Sequence, residues 1–236
     1  MRVVLFGATG MVGQGVLREC LRDGAVSQVV GVGRTPLGVQ HPKVEELVTE
    51  DLFELGRIEG KLRGLDACFF CLGVSSSGMS EEDYRRLTYD LTISVASVLA
   101  RGNPGMTFVY VSGAGTDSSE RGTSAWARVK GSTENALLRL PFKAAYMFRP
   151  GVIVPLDGIQ SKTPGYRVFY SVFGVLLPLV QRLFPRSVST TRTIGLAMLE
   201  VARHGATSPI LRPADIHAAA SLAAAAISID PIGEAR

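Results

Sequence analysis

The sequence predicts an α/β fold, a doubly wound parallel sheet with helices on both faces and a small C-terminal helical region. Three observations carry this reading. Short apolar runs alternate with helical patterns from the first residue, and the first run passes straight into a glycine-rich turn that opens a helix. The third is composition: 236 residues that are 46% hydrophobic and 19% charged can bury one sizeable core and are not a disordered chain.

The elements follow in order. Arg2 to Phe6 reads as a first strand and Met11 to about Asp23 as a first helix. Gln28 to Val32 and Val44 to Val48 are strands two and three, and the stretch around Leu52 to Leu62 has helical spacing. Ala67 to Leu72 is a fourth strand, and Ser80 then caps a long helix over about Glu81 to Ala100, with Glu82 and Asp83 in the first turn where the helix dipole favours them. Thr107 to Val111 is a fifth strand, Ser124 to Arg139 a helix stopped by Pro141, and Ala145 to Phe148 a sixth strand. Right-handed crossovers between such elements cover both faces of a parallel sheet.

Beyond Arg149-Pro150-Gly151 the pattern loosens. Val168 to Phe184 is strongly apolar, but Pro178, Gln181 and Arg182 interrupt it, and it falls short of the roughly 20 apolar residues of a membrane span. It reads as a helix packed on the sheet, with a homodimer contact or a peripheral membrane contact as the alternatives. Thr193 to Arg203 is a further amphipathic helix, and Ala218 to Ala226 an Ala-rich final one. The division is 1–155 for the sheet domain and 156–236 for its C-terminal extension.

The net charge of +4 comes from scattered Lys and Arg, which excludes a nucleic-acid groove. Three cysteines, with no signal-like segment before Gly7, predict a reducing, cytoplasmic setting. Cys68 and Cys71 form a CxxC, but on a strand residues three apart point to opposite faces, so neither a metal site nor a disulfide is expected. His41, His204 and His217 lack ligand spacing, and no metal is predicted.

Chemistry concentrates in Gly7-Ala8-Thr9-Gly10-Met11-Val12-Gly13, the turn between the first strand and first helix. Gly7 permits the turn, Gly10 lets amides approach a pyrophosphate, and Gly13 lets helix and strand pack closely. The free amides and the positive dipole end hold the negative charge. This is a Rossmann-type dinucleotide loop, with Thr9, Met11 and Val12 at its mouth. At the end of the second strand, where an NAD site places an acid about 20 residues on, stands Val30-Gly31-Val32-Gly33-Arg34-Thr35, with no carboxylate. Arg34 can fork onto a ribose 2′-phosphate, so NADP(H) is expected over NAD(H). Asp51 either bonds the adenine edge or caps the next helix, and Leu72 and Gly73 border the cofactor ribose.

These residues resemble the short-chain dehydrogenase/reductase superfamily, in particular its atypical branch with NmrA-like, TIP30-like and NAD-dependent epimerase/dehydratase-like proteins. The likeness covers about residues 1–155: the three loop glycines, Cys71-Leu72-Gly73, Val111-Ser112-Gly113 and Arg149-Pro150-Gly151. Downstream, Thr191 to Ala197 and Ile210 to Ile216 are similar to the family's C-terminal elements. The resemblance implies an oxidoreductase working through a Ser, a Tyr and a Lys, the last two spaced YxxxK so that ammonium and phenol share a helix face. Here the helix reads Trp126-Ala127-Arg128-Val129-Lys130: Lys130 stands at the Lys position, Ser112 at or near the Ser position, and Trp126 replaces the Tyr. An indole N–H is no exchangeable acid near neutral pH. Either Tyr84, Tyr89, Tyr166, Tyr170 or water supplies the proton to a small-molecule substrate, or the protein is a catalytically silent NADP(H) sensor. Trp126 also reads as an aromatic wall of the substrate pocket.

Overall fold

The computed structural model describes residues 1–156 and 188–229; the apolar stretch Val168 to Phe184, Tyr166 and Tyr170 lie outside them. The strands β1 (Arg2–Phe6), β2 (Gln28–Gly33), β3 (Val44–Val48), β4 (Ala67–Phe70), β5 (Thr107–Val111) and β6 (Ala144–Phe148) fall where the sequence places them. β7 (Val152–Val154) and β8 (Val188–Thr190) pair with each other, and β9 (Ile210–Leu211) joins the main sheet beside β6. The main sheet is parallel throughout, in the order β3-β2-β1-β4-β5-β6-β9. The chain therefore reverses direction across the sheet between β1 and β4, the place where open α/β sheets leave a crevice at their carboxyl ends.

Six helices cover the sheet among the described residues. They are α1 (Met11–Arg22), α2 (Glu81–Arg85), α3 (Leu91–Gly102), α4 (Ala125–Leu137), α5 (Thr191–His204) and α6 (Pro213–Ile229). Strand alternation divides the core in two. Val3, Leu5, Phe69 and Val109 point to a cluster with residues of α1, α5 and α6, whereas Val4, Phe6, Phe70, Phe108 and Tyr110 point to one with residues of α3 and α4. Because both faces are covered, the strands read as continuous apolar runs rather than alternating ones.

Two expectations need correcting. The helical spacing of Leu52 to Leu62 resolves into two short 3₁₀ turns, Leu55–Arg57 and Glu59–Leu62. Gly56 and Gly60 weaken any α-helix there, while Leu52, Leu55 and Leu62 still reach the core. The long helix after Ser80 does run from Glu81 to Gly102, but a π turn at Arg86–Asp90 separates α2 from α3. Ser80 caps it as expected, its hydroxyl accepting from the Asp83 amide at 3.0 Å.

Candidate functional site

The glycine turn sits directly on the exit of β4. Gly7 has φ +79°, and a Cβ there would lie 2.7 Å from the backbone of Cys71 and Leu72. A Cβ on Gly13 would meet the Gly7 carbonyl oxygen at 2.1 Å, so the helix can start this close to the strand only without a side chain. The Gly10 amide donates to the Gly7 carbonyl at 2.9 Å, and the Gln14 side-chain amide donates to the Thr9 carbonyl at 3.0 Å, which closes the turn. Gly10 caps α1 without a side-chain hydrogen bond, and no acid stands in the first turn. The first intrahelical bond runs from Gln14 to Gly10, which leaves the amides of Met11, Val12 and Gly13 without helical partners. This cradle, positive and lined by glycine, fits a diphosphate.

The neighbouring strand ends carry the other predicted binding residues. Register pairs Phe6 with Val32, so Arg34 emerges, exposed, just past the end of β2 beside the turn. Cys71 continues the β1 pairing through its amide to the Phe6 carbonyl at 3.0 Å, and Leu72 and Gly73 follow at the crevice, Gly73 exposed. Asp51 caps no helix: its carboxylate accepts from the Phe53 amide at 2.8 Å within the loop, and the next helical turn begins only at Leu55, after Glu54.

A second group forms where the end of β5 meets α4. Lys130 extends toward the strand, with Nζ 3.4 Å from both the Tyr110 hydroxyl and the Val111 carbonyl oxygen, and 5.2 Å from the Tyr110 ring centre. Burial pushes the Lys130 ammonium down to about 8, against the opposing pull of Glu134 one turn further along α4. Ser112 lies at the end of β5 with its hydroxyl 2.5 Å from the Glu134 carboxylate and 3.0 Å from the Phe148 carbonyl oxygen. Glu134 is fully buried and pairs with Arg149, whose Nε lies 3.1 and 3.2 Å from the two carboxylate oxygens. Trp126 is half-buried one turn before Lys130, and a Cβ on Gly115 would come within 3.5 Å of its indole.

The proton-donor candidates separate. Tyr84 is buried, and burial raises its phenol; Tyr89 carries the Arg85 guanidinium over its ring at 4.3 Å. Tyr110, unnoticed in the sequence because its strand reads as core, is the phenol that touches Lys130. It is 1% exposed and its own proton is held more tightly by burial. The two CxxC sulfurs face opposite cores, Cys68 toward the α3 and α4 side and Cys71 toward the α1 and α5 side, and burial raises both thiols. No cluster of metal-ligating side chains occurs among the described residues, and no helix among them is long and apolar enough to cross a membrane.

The depressed Lys130 makes a testable contribution to stability. Between about pH 8 and the ordinary lysine value the unfolded chain binds more protons at this position, so stability rises with pH across that window and the buried ammonium is a cost below it. Lys130→Met is therefore expected to raise the melting temperature by several degrees at pH 7, and the gain should vanish above pH 10.5. Thermal melts at the two pH values check this; an equal gain at both would mean packing, not charge, is responsible.

No protein-family model matches the chain. A curated relative, "Protein fmp52-2, mitochondrial" of Aspergillus terreus, is 27% identical over 201 residues, covering 84% of this chain and 85% of its own. Protein HTATIP2 of Rattus norvegicus is 28% identical over 176 residues, covering 74% and 71%. Among solved structures, an oxidoreductase of the short-chain dehydrogenase/reductase family from Burkholderia thailandensis superposes with TM-score 0.67 at 16% identity, over 97% of each chain. The Bordetella bronchiseptica enzyme WbmH, solved with NAD+, superposes with TM-score 0.64 at 15% identity, over 89% of this chain and 74% of the other. The mitochondrial names of the fungal relatives overturn the cytoplasmic expectation. Reduced cysteines report the redox state of a compartment and not which compartment it is, so composition could not have separated the two.

Proposed function

We propose that this chain, which is of the atypical short-chain dehydrogenase/reductase type, binds NADP(H) across the crevice between β1 and β4 and serves as an oxidoreductase for a small molecule. The observation that carries the reading is the uncapped start of α1 over a turn too tight for any side chain at Gly7 or Gly13. The amides of Met11, Val12 and Gly13 would hold the pyrophosphate, with Thr9 and Gly10 at the rim. Arg34 would form a charge-assisted fork with the 2′-phosphate, Leu72 and Gly73 would flank a ribose, and Lys130 would reach the nicotinamide ribose. When bound, the cofactor supplies or accepts a hydride. Glu134 and Arg149 fix the carboxyl end of β5 against α4, which sets where Ser112 and Lys130 stand.

A second reading, cofactor binding without turnover, draws on Trp126 at the position of the family phenol and on the commitment of Ser112 to Glu134. Turnover of NADPH with any carbonyl or conjugated acceptor decides between the two.

Calorimetric titration tests the cofactor assignment. NADPH is expected to saturate the protein. Arg34→Glu should weaken NADPH by about 10- to 100-fold, the worth of one or two charge-assisted hydrogen bonds, and leave NADH within about threefold. Equal losses for both would remove Arg34 from the 2′-phosphate, and no saturation by either at millimolar concentration would end the dinucleotide reading.

A further inference from the structure

Building on the NADP(H) reading, we propose that the substrate is a quinone, a planar conjugated acceptor that stacks on Trp126 and is reduced to the hydroquinone with Lys130 as its proton source. Reduction of a ketone places charge on an alkoxide, the conjugate base of an alcohol whose pKa is near that of water, about 16. An acid must therefore meet the oxygen as the hydride arrives. Reduction of a quinone places the charge on an aryl oxide, the conjugate base of a phenol with pKa about 10, as in tyrosine. The demand on an acid falls by about six orders of magnitude.

Among the described residues, the hydroxyl donors that would serve a ketone are engaged elsewhere. Trp126 occupies the phenol position and its N–H is not released near neutral pH. Ser112 has one hydroxyl proton, and the neighbouring acceptors are the Glu134 carboxylate at 2.5 Å and the Phe148 carbonyl at 3.0 Å. Tyr110 lies behind Lys130 and is 1% exposed. The Lys130 ammonium remains, on the same face of α4 as Trp126 and one turn away. Burial brings its pKa to about 8, close enough to neutrality to give and regain a proton during turnover. The groups around it are Tyr110 on β5, Tyr84 on α2 beside Tyr110, and Glu134 on α4, the last neutralised by Arg149.

The shape of the site agrees with a flat ligand. Trp126 presents a planar ring that is half-buried against the Gly115 backbone, where no side chain intervenes. Aromatic planes favour offset stacking on such a ring. The reaction balances: the quinone takes two electrons and a proton as hydride from the dihydronicotinamide and a second proton from Lys130, which solvent restores. Quinone, NADPH and a proton become hydroquinone and NADP+.

Trp126 is the chain's one tryptophan, so its emission reports on this position alone. Menadione titrated into nucleotide-free protein is expected to quench that emission saturably, whereas free N-acetyltryptophanamide is quenched linearly. With NADPH, kcat/KM for menadione should exceed that for aliphatic ketones and aldehydes at least 100-fold. Trp126→Tyr, which restores a phenol one turn before Lys130, should lower that ratio at least tenfold, and Trp126→Ala should raise the KM for menadione about tenfold. Linear quenching, ketones reduced as readily as menadione, or an unchanged ratio in Trp126→Tyr would overturn the proposal. Calorimetry with NADPH separates the two levels: no saturation sinks the cofactor reading and this inference with it, while saturation with any of those three results sinks the quinone alone.

Discussion

Gly13→Ala is expected to weaken pyridine-nucleotide binding by more than 100-fold. A single methyl group does this because of what it meets: the Gly7 carbonyl oxygen at 2.1 Å, the Gly7 carbonyl carbon at 2.7 Å and Ala8 Cα at 2.8 Å, all backbone of the same turn. A flexible side chain could swing away from such a contact, but the turn can relieve it only by opening. Opening moves the amides of Met11 and Val12 off the phosphate, and overpacking of this kind costs about 1–3 kcal/mol in stability as well. Gly10 makes a useful contrast, since a Cβ there meets only the Gly7 carbonyl oxygen, at 3.2 Å. Gly10→Ala should lose less than tenfold. Calorimetry on both variants, with circular dichroism to confirm folding, checks the order; near-native affinity in Gly13→Ala would mean the turn does not hold the dinucleotide.

The second large effect belongs to Glu134. Its side chain is fully buried, and Arg149, 13% exposed, is its ion-pair partner, with Ser112 bonded to the same carboxylate. Removing one member of a buried pair strands the other charge, a loss of about 3–5 kcal/mol. For a domain of this size each kcal/mol moves the melting temperature by about 2–4 °C, so Glu134→Ala is expected to melt at least 6 °C lower. Glu134→Leu combined with Arg149→Met should recover most of that loss, because no charge is then left without a partner. A single Glu134→Ala within about 1 kcal/mol of the parent in chemical denaturation would show that water reaches Arg149 freely.

Much of the fold could be read from the chain because the local and global signals agree there. The strands β1, β2, β4, β5 and β6 are largely apolar on both faces, and the turn from β1 into α1 carries its glycines where backbone meets backbone. What escaped depends on distant partners. β7, β8 and β9 are two or three residues long and exist through pairing with each other or with β6. The π turn at Arg86–Asp90 leaves no mark on apolar spacing. In the candidate site, the tight glycine turn was legible from residue order alone, whereas the helix-capping role weighed for Asp51 does not hold, its carboxylate accepting instead from the Phe53 amide in the loop before Leu55. The links among Ser112, Glu134 and Arg149, and between Tyr110 and Lys130, were not legible. Each joins residues from different elements, and Tyr110 and Glu134 sit in stretches that read as ordinary core and ordinary helix. Strand alternation did hold the clue to Tyr110: it shares a face of β5 with Phe108, the face that α4 covers.

The margins of the sheet bear on how this protein behaves when concentrated. One outer strand, β3, carries Glu45 and Glu46 on its two opposite faces, with Glu45 tied to Gln28 at 2.8 Å and facing Lys61. The opposite outer strand, β9, offers only two residues of open backbone. A second molecule seeking to extend the ladder meets carboxylate repulsion on one flank and runs out of hydrogen-bonding groups on the other, so strand-to-strand fibre growth is discouraged at both ends.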